Sequence, residues 1–221
     1  MTIYFENLIE LINKSLLQGI NPRKGLLEQA IYYALSVKGK RLRPLLLLSL
    51  LEALGLSPRD YLDVACSIEY IHTYSLIHDD LPAMDNDNFR RGMPTVHKRF
   101  SEPIALLAGD TLLTMAFERI AGSSLSDSKI VSIYRILTDG IGMKGMAGGQ
   151  ALDLEFKGEK QKVFRIHRMK TADLIKATFM SAAEIAGMNT DYKNRLEYAG
   201  ILIGIAFQMT DDMLDTEGDE K

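Results

Sequence analysis

The sequence predicts an all-α protein that forms one domain, and three observations support this class. Apolar residues recur at spacings of three and four positions along most of the 221 residues. No segment alternates apolar and polar residues between the Asn-Gly or Asp-Gly turns that favour β-hairpins. No linker rich in proline, glycine or serine and no fixed-period repeat interrupts the chain. We therefore expect residues 1–221 to form a single helical domain.

The first helices are predicted by apolar spacing and by residues that favour helix ends. One begins near Ile3, and a second covers Leu26–Leu35. A third covers Pro44–Leu54, since proline fits a first helical turn and a glycine follows the last residue. A fourth covers Ser57–His78, because a Ser-Pro pair is typical of a helix start.

The second half of the chain is predicted to contain further helices. They cover Asp110–Ala121, Lys129–Ala147, Lys162–Ala186 and Asn194–Leu214. Residues 200–209 (GILIGIAFQM) have almost no polar face, which is typical of a helix in the middle of a bundle. A central helix that carries charge at its end is a candidate wall for an internal site.

The composition excludes several classes of protein. With 47% apolar and 25% charged residues, the chain is typical of a globular protein rather than of a disordered or fibrous one. A net charge of −3 provides no positive field for a nucleic-acid partner. The one cysteine, Cys66, excludes an internal disulfide and a cysteine-rich zinc site, and we expect it to be an inert core residue.

Neither a leader peptide nor a membrane anchor is expected. The N-terminal residues MTIYFENLIELINKSL carry early acidic residues and lack the apolar core of a signal peptide. The most apolar run, residues 44–51, is far shorter than the roughly 20 residues that span a bilayer. Together with the single cysteine, these features favour a cytoplasmic protein without stable membrane insertion.

The first of two aspartate clusters follows the predicted helix that ends near His78. It comprises Asp79, Asp80 and Asp85, and Pro82 disfavours helical geometry at the residue before it. Carboxylates this close repel one another, and a divalent cation relieves the repulsion; all-oxygen ligands of this kind favour magnesium. An acidic, solvated loop is an equally open interpretation at this point.

The second cluster comprises Asp211, Asp212 and Asp215, near the end of an otherwise apolar helix. Asp211 and Asp215 are four residues apart and therefore share a helix face. Like charges at this spacing destabilise a bare helix slightly, and a bridging metal would remove that cost. The alternative is an exposed acidic terminus without a metal.

Three basic groups complement the aspartates: residues 37–44 (VKGKRLRP), the pair Arg90-Arg91, and Lys170. Arginine binds phosphate through two parallel hydrogen bonds, whereas lysine acts as a point charge. Each group alone is compatible with a solvated surface. In combination with the acidic clusters they indicate two phosphate groups, one bridged by metal and the other bound by lysine and arginine alone.

Six motifs, in this order, resemble those of trans-prenyl diphosphate synthases, and the two additional residues in the first aspartate motif are most similar to the bacterial farnesyl diphosphate synthases. The motifs are GKRLRP (39–44), HTYSLIHDDLPAMD (72–85), RRGMPT (90–95), GGQALDL (148–154), KTADLI (170–175) and FQMTDDMLD (207–215). The resemblance implies the isoprenoid synthase fold, in which antiparallel helices surround a central cavity, and a homodimer. Family members continue beyond the position of Lys221, so we expect this chain to lack their C-terminal helices.

The resemblance also implies what the chain binds. The substrates would be isopentenyl diphosphate and an allylic diphosphate, dimethylallyl or geranyl, with farnesyl diphosphate as the product. Several Mg²⁺ ions would bridge the allylic diphosphate and stabilise its departure. The alkene of isopentenyl diphosphate would then attack the allylic carbocation in a cavity that excludes water.

Individual residues acquire roles from the same resemblance. Magnesium would be held by Asp79, Asp80, Asp85, Asp211, Asp212 and Asp215. The allylic diphosphate would also be bound by Arg90, Lys170, Thr171 and Gln208. The diphosphate of isopentenyl diphosphate would be bound without metal by Lys40, Arg43, His72 and Arg91. Asp79, Asp85, Lys170 and Asp211 would be central to catalysis, while Gln150 and Asp153 would lie nearby without a defined role.

Tyr74 is the candidate for setting product length. It precedes Asp79 by five residues, which places it roughly 7–8 Å along the helix from the metal ligands. A growing prenyl chain anchored at the aspartates would extend toward it, so a bulky ring would favour the shorter farnesyl product. A tyrosine that only fills the core is the alternative.

Other functions remain open at this stage. A geranylgeranyl diphosphate synthase would share every motif, and a non-catalytic subunit of a heteromeric synthase would share most of them. Such subunits usually lose aspartates, and both clusters are present here. A terpene cyclase normally lacks the second aspartate cluster and the GKRLRP segment. A metal-dependent phosphohydrolase would need more histidine ligands, and His97 and His167 have no supporting pattern.

Overall fold

The computed structural model describes residues 2–218, with side chains over residues 4–159 and 161–214. The α-helices in this part of the chain are α1 (Thr2–Leu16), α2 (Leu26–Ser36), α3 (Leu42–Ala53), α4 (Leu62–Asp79), α5 (Val96–Arg99), α6 (Glu102–Ala121), α7 (Asp127–Ile141), α8 (Met146–Leu154), α9 (Lys160–Ile166), α10 (Asp173–Ile185) and α11 (Thr190–Gly218). A 3₁₀ turn, Pro58–Tyr61, precedes α4, and a π-helical segment, His167–Ala172, joins α9 to α10. The all-α class predicted from the sequence is confirmed. No helix in the described residues is long and apolar enough to cross a membrane.

The chain divides into two compact units. The first contains the residues up to Ser49 together with Ser57–Ser124, and the second contains Leu50–Leu56 together with the chain from Leu125 onward. Helix α3 contributes residues to both. The expectation of one domain stays a prediction.

Helix α4 is the core of the first unit, where it packs against α6, α1 and α2. Its N-terminal half is buried on every side because these neighbours surround it, and Cys66 lies there as the predicted core residue. Burial raises the pKa of the Cys66 thiol, since the thiolate would lose its hydration. Tyr70 donates its hydroxyl proton to the carbonyl of Leu16 at 2.7 Å, which satisfies both groups at this depth.

A short β-hairpin follows α4, and it was not predicted. Strand β1 (Phe89–Arg90) pairs antiparallel with β2 (Met93–Pro94) through a turn at Arg91 and Gly92. Both turn residues have positive φ, 53° and 75°, as the two-residue turns of tight hairpins require. The prediction of no strands was wrong here because the turn is Arg-Gly rather than Asn-Gly.

Several predicted helices also differ: α3 begins at Leu42 rather than at Pro44, α4 begins at Leu62 rather than at Ser57, and α11 begins at Thr190 rather than at Asn194. Helix α6 begins at Glu102 rather than at Asp110, since Ser101 Oγ accepts a hydrogen bond from the Ile104 N–H and caps the helix. The helix predicted over 129–147 is two helices, α7 and α8, separated around Gly142 and Gly145. The helix predicted over 162–186 is the succession of α9, the π-helical segment and α10.

In the second unit, α10 packs against α7 and α11, and glycines allow two close approaches. A Cβ at Gly204 of α11 would lie 2.4 Å from Ala172 Cα in the π-helical segment. A Cβ at Gly149 of α8 would lie 2.3 Å from the backbone nitrogen of Lys170 in the same segment. Backbone therefore packs on backbone from two sides at Lys170–Ala172.

Candidate active site

The turn after α4 brings two aspartates of the first cluster together. Asp79 is the last residue of α4, so the helix ends within two residues of Leu81, where Pro82 was expected to end it. The Asp85 N–H then donates to the Asp79 carbonyl at 2.9 Å, which closes the intervening turn. Asp79 is half-buried and Asp85 is exposed. Two carboxylate-bearing residues that are six apart in sequence therefore lie side by side at the helix end.

Asp80 has different surroundings from its two neighbours. Only 3% of the residue is exposed, and its Oδ1 accepts a hydrogen bond from Arg90 Nε at 2.6 Å. Arg90 also reaches Asp87 Oδ2 through Nη2 at 3.3 Å. Burial raises the pKa of Asp80, and Arg90 opposes part of that rise. The second aspartate of the cluster thus already has a cation as its partner.

The basic residues predicted to bind the metal-free diphosphate surround His72, which lies on α4. The pKa of His72 is well below its ordinary value because burial opposes protonation and nearby arginines add positive charge. Those arginines are Arg43, Arg91, Arg90 and Arg41. The imidazole is therefore neutral near pH 7 and is a hydrogen-bonding group within a cationic region.

The segment that contains GKRLRP contacts the hairpin turn. A Cβ at Gly39 would lie 2.2 Å from Arg91 Nη1, so the guanidinium lies directly on the glycine backbone. Arg43 is buried, with 8% of the residue exposed, whereas Lys40 is exposed. Within the first unit, the structure thus brings together the Arg43, His72 and Arg91 that the sequence predicts, beside Lys40.

Tyr74 packs against His78, one helical turn further along α4. Their ring centroids are 5.8 Å apart with an interplanar angle of 77°. Burial, with a smaller contribution from the Asp79 charge, raises the pKa of Tyr74 to about 12. His78 Nε2 is in turn 3.1 Å from the Leu106 carbonyl of α6, and Gly109 leaves room for its ring. The sequence analysis did not assign a positioning role to His78, since only the fold places α6 beside it.

The second unit contains the residues predicted to bind the allylic diphosphate. Lys170 Nζ is 2.7 Å from Asp153 Oδ2. Asp153, for which the sequence indicated no defined role, is therefore the ion-pair partner of this lysine. Thr171 donates its hydroxyl proton to Gln208 Oε1 at 2.7 Å. Gln208 Nε2 donates to Asp212 Oδ1 at 2.8 Å, which continues the chain of contacts to the second aspartate cluster.

Asp212 has a second neighbour that the sequence analysis did not identify. His167 Nε2 lies 3.0 Å from Asp212 Oδ2. His167 begins the π-helical segment that also carries Lys170 and Thr171, and π-helical turns occur frequently at functional sites. No sequence pattern links positions 167 and 212, so only the structure could reveal this contact.

Fewer contacts are described for the other two aspartates of the second cluster and for Gln150. Asp211 is half-buried on α11, whereas the side chain of Asp215 lies outside the described residues. Both amide atoms of Gln150 are buried without a hydrogen-bond partner in the described part of the chain. Over the same residues, no three histidine, cysteine, aspartate or glutamate side chains already form a metal-binding cluster.

Comparisons with known proteins agree with the motif order. Residues 24–221 match the polyprenyl synthetase family. The chain is 46% identical over 215 residues to the farnesyl diphosphate synthase of Micrococcus luteus, covering 95% of this chain and 73% of that protein. It is 42% identical over 210 residues to the geranylgeranyl diphosphate synthase of Cyanophora paradoxa, covering 92% and 69%. The crystal structure of a Helicobacter pylori geranyltransferase complexed with magnesium and isoprenyl diphosphate superposes with a TM-score of 0.87 at 34% identity, over 96% of this chain and 75% of that one.

Proposed function

The chain belongs to the polyprenyl synthetase family, and on that premise we propose that it is a magnesium-dependent trans-prenyltransferase. It condenses isopentenyl diphosphate with dimethylallyl or geranyl diphosphate to give farnesyl diphosphate and inorganic diphosphate. A cytoplasmic location and a homodimer are parts of the same proposal, supported by the resemblance to the family.

The observation that carries the proposal is a contrast in charge along α4. At its C-terminal end, Asp79 and Asp85 lie side by side and would need a cation before an anion could bind. Seven residues earlier, neutral His72 lies among arginines. The carboxylate of Glu69, one turn before His72, is bound by Arg41. One diphosphate therefore requires metal, and the other binds to positive charge alone.

The aspartates suit magnesium because their ligand atoms are all oxygens. Magnesium typically binds one or two carboxylates and takes its remaining ligands from water and substrate phosphates. As the resemblance implies, the protein ligands of magnesium would be Asp79 and Asp85 in the first unit and Asp211, Asp212 and Asp215 in the second. When bound, magnesium neutralises negative charge that develops on the departing diphosphate. The resemblance makes Asp80 a metal ligand as well; because its Oδ1 is bound by Arg90, we propose instead that Asp80 acts by holding Arg90.

The other polar residues position the two substrates. Lys170, Thr171 and Gln208 would bind the allylic diphosphate together with Arg90. Lys170 forms an ion pair with the carboxylate of Asp153. When the allylic diphosphate binds, its higher negative charge would attract the Lys170 ammonium away from Asp153. Arg43, Arg91 and Lys40 would bind the other diphosphate, and neutral His72 adds a hydrogen bond to it. No protein nucleophile is needed, since the alkene attacks the allylic carbon and the released diphosphate takes the proton.

The farnesyl product is favoured over the geranylgeranyl one by Tyr74. Its ring is held against His78 on the helix that ends at Asp79, where a chain growing away from the aspartates would meet it. A relative named for the longer product also matches the chain, so the product profile is the point that an experiment must decide.

The purified chain, supplied with isopentenyl diphosphate, dimethylallyl diphosphate and magnesium, is expected to form farnesyl diphosphate, identified by product chromatography. Chelation of magnesium by EDTA should abolish turnover, and added magnesium should restore it. Absence of turnover by the folded chain alone, with recovery only on adding a partner subunit, would contradict the proposal and favour a non-catalytic subunit. Geranylgeranyl diphosphate as the main product would favour the second candidate.

A further inference from the structure

Arg41 lies inside the basic segment, but its guanidinium is bound by other groups of the protein. Only 4% of the residue is exposed, and its φ of 48° is unusual for a residue with a side chain. The flanking residues of the motif, Lys40 and Arg43, are the ones that the proposed function assigns to the substrate. The sequence alone does not distinguish Arg41 from these neighbours.

The Arg41 guanidinium is held by four acceptors within the protein. Nη1 donates to Glu69 Oε1 at 2.9 Å, and Nε donates to Asn13 Oδ1 at 2.8 Å. Nη2 donates to the carbonyls of Leu35 and Val37 at 2.6 and 3.1 Å. A guanidinium engaged in this way is committed to the fold and does not bind a phosphate group.

Three of these acceptors lie at the end of α2 and on α4, so Arg41 connects the basic segment to both helices. The carbonyls of Leu35 and Val37 lie at the C-terminal end of α2, where helical carbonyls lack intrahelical partners and a cation is favourable. Glu69 lies on α4 and is also buried, with 2% of the residue exposed. It precedes His72 by three residues, so the two side chains share a face of the helix. Arg41 therefore fixes the segment that carries Lys40 and Arg43 relative to His72.

We propose that Arg41 and Glu69 are positioning residues for the metal-free diphosphate site: their buried pair holds Lys40 and Arg43 beside His72 without touching the substrate. This inference rests on the proposed function and adds to it the residues that assemble the isopentenyl diphosphate site. The two arginines of the motif then have different roles: Arg43 binds the substrate, and Arg41 positions Arg43.

Arg41→Lys tests the inference because it keeps the charge but loses the planar fork that reaches several acceptors at once. The dissociation constant of inorganic diphosphate is measured by calorimetry in EDTA, so that only the metal-free site is sampled. We expect it to rise about tenfold or more, since a displacement near 1 Å can cost up to about a hundredfold. The KM for isopentenyl diphosphate should rise in parallel, while the KM for geranyl diphosphate and kcat stay within about twofold. Glu69→Gln should change the same quantities in the same direction.

Arg119→Lys is the matched control. Arg119 is a half-buried arginine of the first unit that also has several acceptors, since it donates to Asp63, Tyr70 and Ser15. None of these lies in the basic segment or in the hairpin. Its substitution should lower the melting temperature while leaving the dissociation constant of diphosphate unchanged.

The outcomes separate this inference from the proposed function. Equal losses for both substrates in Arg41→Lys, or an unchanged dissociation constant, would overturn the positioning role. If Arg41→Lys fails to fold, Glu69→Gln decides by the same criteria, and an unchanged dissociation constant there overturns the role. A wild-type chain that neither binds diphosphate in EDTA nor turns over substrate would overturn the proposed function and this inference with it.

Discussion

Arg90 Nε donates to Asp80 Oδ1 at 2.6 Å, so the second aspartate of the first cluster is tied to the hairpin that follows it. Asp79 and Asp85 are instead joined to each other through their backbones at the end of α4, where the Asp85 N–H donates to the Asp79 carbonyl. The three aspartates of one motif therefore differ in what they contact. Their substitution should separate metal binding from the positioning of Arg90.

Asp79→Asn and Asp80→Asn are expected to have different effects. Asp79→Asn should lower kcat by roughly a thousandfold, because a ligand of the metal that stabilises the leaving group is weakened. It should also raise the magnesium concentration needed for half-maximal rate. Asp80→Asn should leave that concentration nearly unchanged and chiefly raise the KM for the allylic substrate, because Arg90 loses its charged partner. Magnesium titrations of the initial rate check this, and equal shifts in both variants would contradict the distinction.

Tyr74→Ala should shift the product distribution toward longer chains. The substitution removes a ring that packs against His78 and opens space on the wall formed by α4. Magnesium dependence should be unchanged because Asp79 stays in place. The measurement is chromatography of the products formed from geranyl and farnesyl diphosphate as starters. Tyr74→Phe is the control, since it keeps the ring and should keep the product; an unchanged profile in an active Tyr74→Ala variant would place the end of the cavity elsewhere.

Gly204→Ala should destabilise the second unit and weaken the allylic site together. The new Cβ would lie 2.4 Å from Ala172 Cα, so α11 or the π-helical segment must move. Overpacking of this kind typically costs about 1–3 kcal/mol of unfolding free energy. The move would also disturb the contact between Thr171 and Gln208, which raises the KM for the allylic substrate.

Gly122→Ala is the control for that substitution. Gly122 follows α6 with φ −83°, and the nearest atom to the new Cβ would be the Glu118 carbonyl oxygen at 3.7 Å, an ordinary van der Waals contact. The melting temperature of this variant should equal or slightly exceed that of the wild type. Equal melting temperatures for Gly204→Ala and the wild type would show that the close approach can relax freely.

The free energy of unfolding should depend on pH through His72. Because the folded-state pKa of His72 is well below the unfolded value near 6.5, the unfolded chain binds the proton more readily. The stabilising contribution is therefore complete above about pH 6.5 and is lost as the pH falls toward the folded pKa. His72→Asn should reduce the slope of unfolding free energy against pH below 6.5, by at most about 1.4 kcal/mol per pH unit. Urea denaturation of the substrate-free protein between pH 5 and 8 measures both slopes, and identical slopes would contradict a neutral, buried imidazole.

Much of the fold and the family followed from the sequence. The three- and four-residue spacing of apolar residues predicted the helices, because it reflects which side of each helix faces the core. The order of motifs indicated the family, and the roles of individual site residues stay predictions. The burial of Cys66 also followed from its apolar neighbours. The interrupted helices around Gly142 and at His167–Ala172 were missed, since an apolar pattern continues across a break that glycine packing or a π-turn introduces.

The sequence by itself determined that the chain is helical and that it belongs to this family. Only the tertiary structure decided which acidic and basic side chains become partners. It directs Arg41 inward to Glu69 while Arg43 lies near His72, pairs Asp80 with Arg90, and brings His167 to Asp212. The physical reason is that helix periodicity is encoded locally, whereas an ion pair depends on the distance between atoms that lie far apart in the chain.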